Sequence, residues 1–449
     1  MHLTDFSHLR EQLRDTSARW ASRSVADRLA IIRKFRRLLA RRSELIASKI
    51  QFRPLADTMA AEILPLLDAA RFLEREAHAL LRPRRVGCKG RPLLLAGTRA
   101  VIQRRPLGAV LILAPSNYPL FLTGCQMLQA ITAGNAVAVK PAPGQTGCVA
   151  ALSELLSSAG VPPGLIRILE DTDSAGEAAV RAGFDHIILT GAASTGRRVA
   201  RLAAETLTPL TLELSGNDAV FVMPGADLEH VARSLAFGMR LNGGATCIAP
   251  HRVFIAETMA QEMEARLLRH LAKLRVPKPN PPVSAILANL TVEAVADGAS
   301  ARDIGGVTFL TNANPHMALL RADVFAPWLA LIPSRSMVEA VRSDLACPYA
   351  LGASLFGPEA ACRELASDLR AGSIVINDLI APTADPRLPF GGTGESGYGS
   401  TRGAEGLLTL TRPVTISVRR GPWPRLHLRS PGSGDGRRLA GVARWLNFF

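Results

Sequence analysis

Between residues 108 and 223, short uninterrupted apolar runs alternate with stretches of helical spacing. AVLILA (109–114), AVAVK (136–140), LIRIL (165–169), HIILT (186–190), LTLEL (210–214) and AVFVM (219–223) have the length of strands and no polar alternation. A strand that is apolar on both faces needs cover on both faces, which a parallel sheet flanked by helices provides. The intervening segments supply the helices: Phe121 to Ile131, residues 148–160 ended by Gly160, and the stretch after Gly196. The pattern predicts a doubly wound α/β sheet, an architecture whose ligands gather at the carboxyl ends of the strands.

The rest of the 449 residues is too long to join that core, so further domains are expected. Residues 7–80 read as helices, with Leu29, Ile32, Phe35, Leu38 and Leu39 at helical spacing. LLLAG and RAVIQRR, within 82–107, read as paired strands. A second α/β unit, from about 225 to 410, contains HRVFIA (251–256), LALIP (329–333), GASLFG (352–357) and SIVIN (373–377). VTISVRR (414–420) reads as a late strand returning to pair with 98–104. The tail 421–449 reads as a mobile extension rich in Gly, Pro and Arg, with an apolar end, LAGVARWLNFF, suited to docking.

Charge excludes less than its size suggests. The net charge is +15, from 53 Lys and Arg against 38 Asp and Glu, and only six of the basic residues are Lys. A basic surface attracts anions without specificity, and no nucleic-acid motif accompanies it, so no specific nucleic-acid partner is expected. The six cysteines (88, 125, 148, 247, 347, 362) form no CxxC pair and stand near no His cluster, which argues against a disulfide scaffold and against a metal site. No signal-like N-terminus and no run of 18 apolar residues is found, so a soluble cytoplasmic protein is expected.

Several short segments carry chemistry, each with a plainer reading beside it. Asn117, between two prolines in PSNYP (115–119), follows a buried strand; its amide suits an oxyanion donor, or it is a turn residue. Lys140 ends AVAVK, where it suits cofactor hydroxyls or phosphate, or is a solvated terminus. Gly191 to Gly196 opens a helix and suits an anion, or is an ordinary helix start. Glu213 lies inside an apolar strand, where burial raises a carboxylate toward the range of a general base, or it forms a structural ion pair. Cys247, in the small-residue loop NGGATCIAP, is a candidate nucleophile or a small buried apolar residue. Phe390, in PFGG (389–392), lines a pocket or belongs to the core.

Taken together and in order, these segments resemble the aldehyde dehydrogenase superfamily from about 100 to 415. RRPLGAVLILAPSNYPL, AGNAVAVKPA (133–142), LTGAASTGR (189–197), LELSG (212–216), NGGATCIAP (242–250), DVFAP (323–327) and LPFGGTGESGYG each look like a motif of that family. The resemblance implies an aldehyde dehydrogenase fold: a doubly wound Rossmann-like cofactor domain, an α/β catalytic domain and a small β oligomerisation arm. The implied boundaries are 1–97 for the N-terminal helical part of the cofactor domain, 108–224 for its Rossmann-like part and 225–410 for the catalytic domain. Residues 98–107 with 411–420 form the arm, and 421–449 form the Arg-rich tail.

The resemblance also implies roles. Cys247 matches the nucleophile, Glu213, 34 positions earlier, the general base, and Asn117 the oxyanion donor. Pro115, Ser116, Lys140, Gly191, Ala192, Gly196, Leu214, Asp323 and Phe325 match the cofactor set for NAD or NADP. Tyr118, Leu122, Thr246 and Phe390 are expected to line the pocket of an uncharged aliphatic or aromatic aldehyde. The implied reaction is oxidation to the carboxylic acid through a Cys247 thiohemiacetal and thioester, and the arm implies a homodimer or homotetramer. Pro143 stands where many NAD-using members have a Glu, which implies that NADP is tolerated. Ala192 replaces a usual Ser, Asp323 a usual Glu, and Asn217 a frequent Lys. The stretch between Cys247 and Asp323 is short for the family. A CoA-acylating dehydrogenase, a cofactor-binding member without turnover, and a basic nucleic-acid or membrane binder are the alternatives; Glu213 argues against the first and the Cys–Glu–Asn set against the second.

Overall fold

The computed structural model describes residues 3–92, 95–421, 428, 432 and 435–446. The chain divides into two compact units, one of residues up to Leu81 with Arg105–Arg412, the other of Arg82–Arg104 with residues from Pro413 onward.

The first unit is built on two mostly parallel sheets. The six-stranded sheet runs Gly397–Tyr398, Leu210–Leu214, His186–Gly191, Ala109–Leu113, Ala136–Lys140 and Ile166–Ile168, and only the first of these is antiparallel to its neighbour. The strands Ala109–Leu113 and Ala136–Lys140 are buried at every residue, as their unbroken apolar runs require. After Ala109–Leu113 the chain adds strands on one side, then returns at His186–Gly191 to the other. That reversal creates a crevice at the carboxyl ends of the two central strands. The helix Phe121–Ala133 covers this sheet and is buried on all sides, which explains why it carries no charged residue. It stops at Gly134, whose φ of 105° lies in the left-handed region.

The seven-stranded sheet runs Ser300–Ile304, Val307–Thr311, Trp328–Ser334, Arg252–Ala256, Ala219–Val222, Gly352–Phe356 and Ser373–Ile376. Here the structure corrects the sequence reading at both ends of the second α/β segment. Ala219–Val222, expected to close the first sheet, pairs instead with Arg252–Ala256 and Gly352–Phe356. Gly397–Tyr398, expected within the second segment, returns to pair with Leu210–Leu214 of the first sheet. The helix Ala193–Ala204 begins before Gly196 rather than after it. Gly196 lies inside that helix because a Cβ there would stand 2.6 Å from Leu214 Cδ1.

In the second unit a three-stranded sheet joins Arg84–Val86, Thr98–Pro106 and Thr411–Arg419, so the late strand does pair with the segment after 98. The first strand of that sheet is Arg84–Val86, not the LLLAG segment; Leu93 and Leu94 lie outside the described residues, and Ala96 and Gly97 form a turn. Of the tail, Asp435–Leu446 is helical where an extension was expected. Residues 422–427, 429–431, 433–434 and 447–449, including the Phe pair of the apolar end, lie outside the described residues. Among the described residues no helix is long and apolar enough to cross a membrane.

Candidate active site

Two cavities of the first unit meet at the carboxyl ends of the six-stranded sheet. The first, of about 360 Å³, is lined by segments that leave four neighbouring strands: Leu113–Asn117, Lys140 to Pro143, Leu189–Ala192 and Glu213–Ser215. The second, of about 300 Å³, is lined mainly by apolar side chains, among them Tyr118, Phe121, Leu122, Phe237, Ile248 and Phe390. Leu122, Glu213 and Cys247 belong to both walls. Asn117 lines the first cavity, so the sulfur, the carboxylate and the amide named from the sequence share one space.

Cys247 is delivered by a tightly coiled loop. Asn242, Gly243 and Gly244 have φ of 53°, 60° and 73°, three successive left-handed residues that a chain of ordinary side chains resists. Gly244 is further fixed by packing, because a Cβ there would stand 2.7 Å from Pro327 Cα. The thiol is half-buried, and burial pushes its pKa well above the ordinary thiol value; the Glu213 and Asp218 carboxylates add to this, while Arg402 and the Cys247 N–H oppose it. A thiol in that state needs a base to become a nucleophile.

Glu213, 2% exposed, is a buried carboxylate in the wall of both cavities. Its Oε2 accepts a hydrogen bond from the Thr401 hydroxyl at 3.1 Å. Its Oε1 is buried and has no hydrogen-bond partner among the described residues. Burial raises its pKa above the usual carboxylate value, and Arg402 and the Thr401 hydroxyl pull it back. An orphaned carboxylate oxygen facing a cavity is a ready acceptor for a water or thiol proton. Asn117 donates one amide N–H to the Ala245 carbonyl at 3.1 Å. An amide nitrogen carries two hydrogens, so one remains for an oxygen in the cavity.

The first cavity fits a dinucleotide. The helix Ala193–Ala204 opens at Ala192, whose methyl group cannot cap it; the Asp323 carboxylate faces the Ala193 N–H, and the N–H groups of Ser194 and Thr195 in the first turn have no partner within the helix. Lys140 is buried in the wall, with Nζ 3.7 Å from Asp173 Oδ1. Pro115, Ser116, Gly191, Ala192, Leu214 and Phe325 line the same space, as does Pro143. Two residues of the expected cofactor set stand directly behind the lining: Gly196 packs against Leu214, and Asp323 faces the Ser215 hydroxyl and the Ala193 N–H. Neither lines the cavity. In the second cavity all four expected residues, Tyr118, Leu122, Thr246 and Phe390, are present, and the Tyr118 and Thr246 hydroxyls are 2.7 Å apart.

Sequence reasoning missed Arg402. Its guanidinium lies 4.3 Å from the Phe390 ring centroid, donates to the Thr383 carbonyl at 2.6 Å and puts a buried positive charge in the wall of the second cavity. No spacing rule points to it; the one local sign is structural, a φ of 60° at a non-glycine residue.

This geometry agrees with comparisons to known proteins. A model of the Aldehyde dehydrogenase family matches residues 3–416. The 4,4'-diapolycopene aldehyde oxidase of Methylomonas sp is 31% identical over 398 residues, spanning 85% of this chain and 74% of that protein. The putative succinate-semialdehyde dehydrogenase [NADP(+)] 2 of Mycobacterium bovis is 30% identical over 428 residues, spanning 89% and 82%. The crystal structure of a putative aldehyde dehydrogenase from Burkholderia cenocepacia superposes with a TM-score of 0.86 at 29% identity, covering 94% of this chain and 93% of that one. By sequence and by fold, the chain belongs to the aldehyde dehydrogenase family.

Proposed function

We propose that the chain oxidises an aldehyde to its carboxylic acid, with NAD or NADP as hydride acceptor and water as the final acyl acceptor. The observation that carries this reading is the shared wall: Cys247 and Glu213 face both cavities, and Asn117 faces the first beside them. The aldehyde occupies the second cavity, whose aromatic and aliphatic lining suits an apolar body. Glu213 takes the thiol proton, and Cys247 Sγ bonds to the carbonyl carbon. The oxyanion of the thiohemiacetal accepts from the free N–H of Asn117 and from the Cys247 N–H. A nicotinamide held in the first cavity would supply the oxidising power by taking the hydride from that carbon, leaving the acyl group as a thioester on Cys247. Glu213, its proton lost to solvent, then deprotonates the water that adds to the thioester. The acid leaves, and the thiol is restored.

For the cofactor, this reading assigns Lys140 to the adenosine ribose and the N–H groups of Ser194 and Thr195 in the first turn of the helix Ala193–Ala204 to the phosphates, the Ala193 N–H being taken by Asp323. Pro143 offers no carboxylate to repel a 2′-phosphate, and the mycobacterial relative is named for NADP(+). The free state of all six cysteines suits a reducing, cytoplasmic setting. The three-stranded sheet of the second unit, with Ile416 and Val418 exposed, suits pairing into a homodimer or homotetramer.

The test is direct. The purified chain is assayed with a panel of apolar aldehydes and either cofactor, following reduced nicotinamide and identifying the acid by mass spectrometry. Activity that vanishes in Cys247→Ala supports the reading. Acyl-CoA formation that replaces the acid when CoA is added would overturn the hydrolytic step, and no reduction with any aldehyde would overturn the whole.

A further inference from the structure

Arg53 and Glu62 form a buried ion pair outside both cavities, with Arg53 7% and Glu62 0% exposed and Nη1 3.2 Å from Oε1. Burying two charges is costly unless their remaining donors and acceptors are used. Glu62 lies in a π turn, Met59–Ile63, that interrupts the helical run, a distortion often found at functional sites, and Arg53 lies in the loop before that run. Glu62 Oε2 accepts from the Leu120 and Phe121 N–H groups at 2.8 and 2.9 Å, which caps the helix Phe121–Ala133 that begins four positions after Asn117.

The guanidinium reaches the two loops of the reaction. Nη2 donates to the Asn117 carbonyl at 2.6 Å, and Nε donates to Asn242 Oδ1 at 3.1 Å. Asn242 Nδ2 in turn donates to the Asn117 carbonyl at 3.1 Å and the Ala245 carbonyl at 3.0 Å. The Ala245 carbonyl also receives the Asn117 side chain, two residues before Cys247. The guanidinium lies 4.9 Å from the Tyr118 ring centroid. The loop that carries the amide and the loop that carries the thiol are therefore tied directly, Asn242 to the Asn117 carbonyl and Asn117 to the Ala245 carbonyl, and Arg53 braces both ties.

We propose that Arg53, held in place by Glu62, is a positioning residue that sets the aim of the Asn117 amide toward the carbon attacked by Cys247. This rests on the aldehyde-oxidising reading above. Arg suits the task because its planar fork holds two acceptors at fixed angles, which a lysine ammonium does not. Arg53 touches no reactant; it acts through Asn117 and Asn242.

A double-mutant cycle on the single-turnover rate of hydride transfer tests this. Loss of one oxyanion donor, as in Asn117→Ala, is expected to slow the step by about 10²–10³-fold. Arg53→Gln, which misaims the same donor, is expected to slow it by about 10–10²-fold and leave the KM for the cofactor within about twofold. The decisive expectation is that Arg53→Gln/Asn117→Ala is no slower than Asn117→Ala alone, because both remove one interaction. Losses that multiply, or a wild-type rate in Arg53→Gln, would overturn the proposal. Arg53→Lys keeps the charge beside Glu62 and gives a second cycle should the glutamine variant not fold; its rate is expected to fall between wild type and Arg53→Gln. An unmutated chain that oxidises no aldehyde would sink the parent reading and this one together, whereas an active chain with multiplicative losses sinks this one alone.

Discussion

Thr401 donates its hydroxyl to Oε2 of Glu213 at 3.1 Å, while Oε1 of the same carboxylate is buried without a partner among the described residues. One oxygen is anchored and the other is left to act. Glu213→Gln keeps the shape and the Thr401 contact but loses the base. Steady-state turnover is expected to fall by about 10²–10⁴-fold. A pre-steady-state burst of reduced cofactor, measured by stopped flow, is expected to survive as far as the thiol is ionised by added alkali. A variant with wild-type turnover would remove Glu213 from the reaction.

The Thr401 bond has a signed effect on pH dependence. It stabilises the charged carboxylate and so opposes the rise that burial imposes. Thr401→Val removes it, so Glu213 gains its proton at higher pH. The acid limb of the kcat profile is expected to move upward by up to about one pH unit, the equivalent of one hydrogen bond of about 1 kcal/mol. A limb that stays in place, or moves down, contradicts the assignment.

Cofactor choice is expected to respond to position 143. Pro143 lines the first cavity together with Lys140 and Arg198. Pro143→Glu adds a carboxylate that accepts from ribose hydroxyls and repels a 2′-phosphate. The ratio of kcat/KM for NADP to that for NAD is expected to drop by about tenfold, or about 1.4 kcal/mol. Initial-rate kinetics with both cofactors measures it.

His251 gives a test of stability. Its Nδ1 lies 2.8 Å from the Trp328 carbonyl, its ring stacks on Trp328 at 4.3 Å, and burial lowers its pKa to about 4. The folded state therefore holds the neutral ring, while the unfolded chain takes up a proton near pH 6.5. Stability linked to this residue is present above pH 6.5 and is lost as the pH falls toward 4, by about 3 kcal/mol in all. Urea unfolding of His251→Asn is expected to show a shallower decline than wild type over that range.

How far the sequence reaches is clear from particular residues. Ala109–Leu113 and Ala136–Lys140 are legible because a strand covered on both faces needs an unbroken apolar run. The same logic fails at Ala219–Val222, since such a run does not say which of two parallel sheets receives it. Glu213 stands out as a carboxylate inside a buried strand, whereas Asn117 and Cys247 stand out only through the motifs that carry the family resemblance. Arg53 does not: its partners lie 9, 64 and 189 residues away, and no periodicity links such positions.

The two cavities have only Leu122, Glu213 and Cys247 in common. They are two rooms with a single window, and the sulfur sits on the sill. A guest in one room meets a guest in the other only through whatever projects into that opening. A molecule held in either cavity therefore lies against the same sulfur and the same carboxylate, so reactants that enter by different cavities end at one wall.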